Sequence, residues 1–296
     1  MARAGQAIGV GNGRRLRWAP LAAVAALALL GVLLKPLAGG AWQQRFDDER
    51  PFAAALARGT LIVAVPSQPA PILYVGKVDR SVRAPESYSA SLAGELGRRI
   101  GLPVKLLLSD PAAARKAVQS GRADVAIAGL SFAPDTSIAF APTAYSSGRG
   151  AALVLRGGSV QTQSDMRGRT VCASRESPFA SRAARQLGAI LQSFDRPLDA
   201  LLAFQAGECA ALIDDEYVIR ALLKQPDWAY YRVLPGGFEP TPAFIAVRGT
   251  DAAGAAYVER VVGDWRRQRW LNTVREDRAT QLAFEMFNAE NDLYCH

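Results

Sequence analysis

Residues able to do chemistry are sparse in this chain, and their types restrict what that chemistry can be. The single histidine is His296, the last residue, and the three cysteines are Cys172, Cys209 and Cys295. A Ser-His-Asp or Cys-His mechanism would place its base on a fraying terminus, and one histidine with three scattered cysteines makes a poor metal set. Those mechanisms are therefore discounted, and no metal and no cofactor is expected. The other polar candidates follow short apolar runs: Ser67 to Tyr74, Gly129 to Ser131, Arg175 to Ser177, and Asp214 with Asp215. If those runs are strands of open α/β sheets, these groups sit where ligands bind, beyond the carboxyl ends of the strands.

Each candidate has a functional reading and a plainer one. Gly129 would let a ligand approach the backbone and Ser131 would offer a hydroxyl, or the two are a turn glycine and a surface serine. Ser177, ahead of Pro178, either helps an anion at a helix N-terminus or simply caps the helix. Arg175 stands beside it as a further anion partner. Tyr74 could lay its ring over an apolar or cationic part of a ligand, with Tyr88 and Tyr145 as competitors. Asp215 precedes a helical stretch from Glu216 to Leu223, where an acid also serves as an N-cap.

The elements that must position these groups are legible as punctuation. Phe46 to Arg58 reads as a helix stopped by Gly59, and Leu61 to Val65 as a buried strand. Ser89 to Ile100 is helical, Val104 to Leu108 a strand, and Asp110-Pro111 a cap with proline at the first helical position. Asp124 to Ala128 completes a right-handed β-α-β-α-β unit. The grammar then repeats. Thr170 to Ser174, Ile190 to Phe194 and Ala210 to Ile213 are strands, and Ser177 to Gly188 and Pro197 to Ala206 are helices. AVQSGRADVAIAG at 117–129 and AFQAGECAALIDD at 203–215 share one register. Ala243 to Val247 is a strand, and Ala252 to Leu271 and Glu276 to Asn288 are helices.

These elements predict two doubly wound sheets joined by a hinge, an α/β architecture with a ligand cleft between the lobes. The first lobe is expected from 57–155 plus 243–296 and the second from 159–239. The chain crosses near Leu155 to Ser159 and returns near Pro240 to Ala243. Cys172 and Cys209 fall on neighbouring strands of one lobe and are the favoured disulfide pair, with Cys295 left over.

The net charge of +8 resembles a nucleic-acid signal until it is located. Six of the basic residues lie in 1–45, a segment without an acid, leaving +2 for the remainder, and no nucleic-acid partner is expected. Arginines ahead of the uncharged run from Trp18 to Leu34 match an export signal or membrane anchor with its N-terminus inside, cleaved or retained. A periplasmic monomer is expected, free or tethered.

In this order the segments GTLIVAV, SGRADVAIAGLS, FAPTAY, DMRGRTV, GECAALIDDEYV and AFIAVRGTD resemble the family 3 extracellular solute-binding proteins, the periplasmic polar-amino-acid receptors of ABC transporters. The resemblance spans about residues 59–275. It implies a two-lobed clamp, a membrane permease as partner, and Asp215 as the acid that receives a ligand's ammonium group. Two features depart from the family. Its arginine clamp for an α-carboxylate has no counterpart between Arg122 and Arg149, and Ser91 stands where an acid is usual in the first helix of lobe one. The ligand implied is small, polar and amine-bearing, its anionic end met by Ser177, Arg175 and the helix behind them. A cyclohexadienyl-dehydratase-like enzyme and a membrane-anchored sensor domain are the alternatives on the same fold.

Overall fold

The computed structural model describes residues 50–70 and 82–293, with side chains described to Glu285. The chain divides into Met1–Glu49 and a compact unit, Arg50–His296. The leader read over 1–45, Tyr74 and Cys295 lie outside the described residues. Among the described residues, no helix is long and apolar enough to cross a membrane.

After a short helix α1 (Ala53–Arg58), the first sheet opens with β1 (Leu61–Val65). Leu61, Val63, Ala64 and Val65 are all fully buried, as a continuous apolar run between two helical layers requires. A small hairpin, β2 (Ser67–Pro69) and β3 (Arg83–Pro85), leads to α2 (Ser87–Ile100). That helix starts two residues before Ser89 because Glu86 caps it, its carboxylate accepting from the backbone of Tyr88 and Ser89. Next come β4 (Val104–Leu108), α3 (Pro111–Gln119), capped by Asp110, then β5 (Val125–Ala126) and β6 (Ile138–Phe140).

The second sheet holds β7 (Gly150–Leu155), β8 (Thr170–Ser174), β9 (Ile190–Phe194), β10 (Ala211–Asp215) and β11 (Tyr231–Val233), with helices α4 (Ala180–Leu187), α5 (Pro197–Gln205) and α6 (Glu216–Leu222). The chain then gives β12 (Ala246–Arg248), α7 (Ala252–Arg267) and α8 (Trp270–Leu293). The two sheets have one plan. The first is ordered β4-β1-β5-β12-β6 and the second β9-β8-β10-β7-β11. In each, three parallel strands are followed by an antiparallel one that has just crossed from the other lobe. The repeated segments at 117–129 and 203–215 supply the corresponding third strands, β5 and β10.

Two boundaries differ from the sequence reading. Residues 150–155, assigned there to the first lobe, are β7 of the second sheet, paired with both β10 and β11. The first crossing therefore precedes Gly150. It runs antiparallel to the return segment: Tyr145 N–H donates to the Ala243 carbonyl, and Gly150 and Phe238 exchange two backbone bonds. An apolar run such as GAALVL fits either sheet, so only its pairing decides. The C-terminal part also does not belong to the first lobe alone. Leu271 is buried in the first core with Val258 and Trp265, whereas Ala279 and Leu282 are buried in the second with Leu201 and Val218. Helix α8 is thus a third link between the lobes.

Cys172 and Cys209 form a disulfide with Cα atoms 5.6 Å apart. Cys172 lies on β8 opposite Leu212 of β10, so parallel pairing brings the thiols together. The bridge closes a separation of 37 residues. Replacing both cysteines with serine is expected to lower unfolding free energy by about 2–4 kcal/mol, measured by chemical denaturation against the oxidised parent.

Candidate functional site

Between the lobes lies a cavity of about 330 Å³. Strand ends form its walls, Ala128 and Gly129 from the first sheet and Ser174-adjacent residues 175–179 with Asp215 from the second, and α8 reaches in with Arg275 and Arg278. Gly129 follows β5 with φ +69, a left-handed conformation that disfavours side chains, and an added Cβ would meet nothing within 4 Å. Its N–H donates to the Tyr145 hydroxyl at 2.9 Å. Tyr145 stacks on Tyr88, with ring centroids 6.4 Å apart, and the Tyr88 hydroxyl donates to the Tyr145 carbonyl at 3.2 Å. Burial pushes the Tyr88 phenol up to about 12 and raises that of Tyr145 as well. Both rings are neutral walls of the cleft.

Asp215 ends β10 and caps α6, its Oδ1 accepting from Tyr217 N–H at 2.9 Å. The same carboxylate is held bidentately by Arg275, with Nε to Oδ2 at 2.6 Å and Nη2 to Oδ1 at 2.8 Å. The side chains are 6% and 5% exposed, so the pair is almost fully desolvated. The Arg275 guanidinium also lies 4.7 Å from the centre of the Tyr217 ring. On its other side is Gly148, in the first crossing with φ +84, where a Cβ would stand 1.7 Å from the guanidinium carbon. A glycine is required there by both the backbone and the arginine.

One turn further along α8, Arg278 lies 3.7 Å from Glu86, the cap of α2. Burial pulls the Arg278 pKa down, but the charges of Asp214, Glu86 and Asp215 outweigh it and raise the value. Asp214 is itself buried, and that burial raises its pKa although Arg278 opposes the shift. Glu176 differs from these acids. It is half-buried in the cleft wall and has no hydrogen bond or ion pair among the described residues. Burial raises its pKa, and the neighbouring Glu86 raises it further.

The structure brings together Gly129, Arg175, Ser177 and Asp215 of the residues named from sequence. It does not bring Ser131, which is exposed and lines no part of the cavity. Arg175 is exposed at the cleft and paired with Asp195 at 2.9 Å. Ser177 lies three residues before α4, so its hydroxyl accepts from Phe179 N–H at 3.3 Å and caps a turn rather than that helix. Pro178 and Phe179 stand between Ser177 and the first residue of the helix. Ser177 and Arg175 thus share the cavity wall, but Ser177 stands apart from the N-terminus of α4, whose cap position is Phe179. Asp215 serves as the cap that the plainer reading named, and both of its oxygens also accept from Arg275.

Glu86, Glu176, Arg275 and Arg278 were not found from sequence. Arg278 had a signal. Leu271, Val274, Arg278 and Leu282 follow helical spacing along the stripe of α8 that packs inward, and a cation in such a stripe demands a buried acid. Glu176 had none, because a carboxylate in a polar loop looks solvated.

No family model and no curated protein matches the chain. Solved structures do. An amino acid ABC transporter substrate-binding protein from Streptococcus pneumoniae bound to L-arginine is 21% identical, covering 77% of this chain and 96% of its own, with TM-score 0.55. This is the fold of the ABC-transporter amino-acid-binding proteins. An ancestral arginine-binding protein bound to arginine is 23% identical over 74% of this chain and 98% of that one, with TM-score 0.51. An ancestral amino-acid-binding protein described as a precursor of cyclohexadienyl dehydratase is 18% identical over 76% and 97%, with TM-score 0.53.

Removing one partner of a desolvated ion pair strands the other charge. Asp215→Asn should therefore lower stability by about 3–5 kcal/mol in denaturant titrations without any ligand. Ser131→Ala should change it by less than about 0.5 kcal/mol.

Glu176 and Asp214 bind protons more tightly in the folded state than in the unfolded one. The stability these two groups contribute should then be fully present at or below the ordinary carboxylate range and be lost as pH rises through their raised folded values. Glu176→Gln should flatten part of that decline in melting curves taken between about pH 4 and 7.

Proposed function

We propose that the protein is an extracytoplasmic solute-binding protein, a clamp that captures a small polar ligand between two lobes and presents the closed form to an ABC-type transporter permease. The observation that carries this reading is the cavity where the strand ends of both sheets meet, about 330 Å³ in volume. That is the size range of sites for small molecules, and no covalent chemistry is needed for closure to report occupancy. The basic, uncharged-run leader over 1–45 would deliver the lobes across the cytoplasmic membrane, either released or tethered. A monomer suffices, since one chain supplies both lobes.

The charges of the cleft indicate the ligand class. Asp215 is matched by Arg275, and Glu86 is paired with Arg278. Glu176 is the cleft acid left without a partner, so the ligand's amine is met by Glu176 rather than by Asp215. A cation there gains from the low local dielectric, favours the carboxylate form and offsets the cost of burying it. The tyrosine pair supplies a flat, uncharged wall for the remainder of the molecule.

A thermal-shift screen of the wild type with amino acids, polyamines, opines and small organic acids should give at least one amine-bearing stabiliser. Calorimetry on Glu176→Gln with that ligand should show binding weakened by about 2–5 kcal/mol. A stabiliser without a cationic group, or unchanged affinity in the variant, would remove Glu176 from this role.

A further inference from the structure

Arg275 holds its guanidinium at this cleft by contacts that a planar cation makes well. Two parallel N–H···O bonds join it to Asp215, the Tyr217 ring lies 4.7 Å away, and Gly148 leaves room for it against the hinge backbone. The planar fork of a guanidinium fits a carboxylate in this bidentate way and stacks on aromatic faces, which an ammonium cannot reproduce. The group arrives on α8, which is anchored in both cores by Leu271 on one side and Ala279 and Leu282 on the other. It is therefore held in place by the fold and not by a mobile tail.

We infer that Asp215, Tyr217 and Gly148 form a guanidinium-binding subsite at the edge of the cleft that the chain fills with its own Arg275. In this assignment Arg275 is a resident occupant and a specificity determinant. It excludes free guanidinium compounds from the acid at the hinge and leaves the cleft to ligands that reach Glu176. The assignment rests on the preceding reading only in taking the cleft as the ligand site. The subsite itself is tested without knowing the natural ligand.

The test removes the occupant and supplies it from solution. Arg275→Ala should bind methylguanidinium in calorimetry, with a melting temperature raised by roughly 2–4 °C when the ligand is at about tenfold its Kd. Methylammonium should give at least tenfold weaker binding, because it lacks the fork. The wild type should show neither response, and the double variant Arg275→Ala/Asp215→Asn should lose the response to methylguanidinium. Should Arg275→Ala not fold alone, refolding it with methylguanidinium should restore its far-UV circular dichroism, and the double variant should fold without help. Equal stabilisation of wild type and Arg275→Ala would overturn the inference, as would no binding and no recovery in Arg275→Ala. A screen of the wild type that finds no stabiliser would count against the solute-binding reading and leave this result unaffected.

Discussion

The desolvated pair of Arg275 and Asp215 is the constraint from which the middle of this molecule follows. Neither charge tolerates burial alone, so the helix that carries the arginine has to arrive at the end of β10 with little freedom of position. That requirement places α8 across both lobes, keeps residue 148 a glycine and seats the guanidinium against Tyr217. The crossing between the lobes passes directly beside the pair. Packing in two cores and an ion pair at the hinge are thus one arrangement seen from two sides.

Lobes built to one plan do not make a symmetrical cleft. The second lobe contributes Asp215 and Glu176, and the first contributes Glu86, while the cations that answer them come from α8, which belongs to both. Arg278 answers Glu86 at 3.7 Å and helps to offset Asp214 without bonding to it. The electrostatics of the site are therefore set by the last helix of the chain. The strand ends alone would leave a strongly acidic cavity, and the helix reduces it to a single unmatched carboxyl.

Local signals made the architecture readable. Glycine stops, acid caps and prolines at helix starts mark each element, and the matching registers at 117–129 and 203–215 correspond to the same strand in both sheets. The crossing was misplaced because β7 is apolar enough to lie in either core, and its partners are residues far away in sequence. The cleft was half legible for the same reason. Gly129, Ser177 and Asp215 lie at strand ends, which a sequence reveals, whereas Arg275 meets Asp215 across a separation of 60 residues. Asp215 could be identified as a cleft acid, but not its partner, since that depends on how a helix packs. Ser131 shows the converse, a residue of the right type just beyond a strand end that the chain leaves facing solvent.

The nesting of the lobes has a consequence for how the chain reaches this state. The strands of the second sheet are contiguous, from Gly150 to Val233, and can pair as soon as that stretch is available. The first sheet cannot close at that stage. Its β5 waits for β12, which follows the whole second lobe, and such distant pairings are slow because the loop must close before the contact forms. Until α8 docks, Asp215 faces water as an ordinary carboxylate at a strand end. The hinge acid can therefore gain its arginine only once α8, which follows both sheets in sequence, has docked across the two cores.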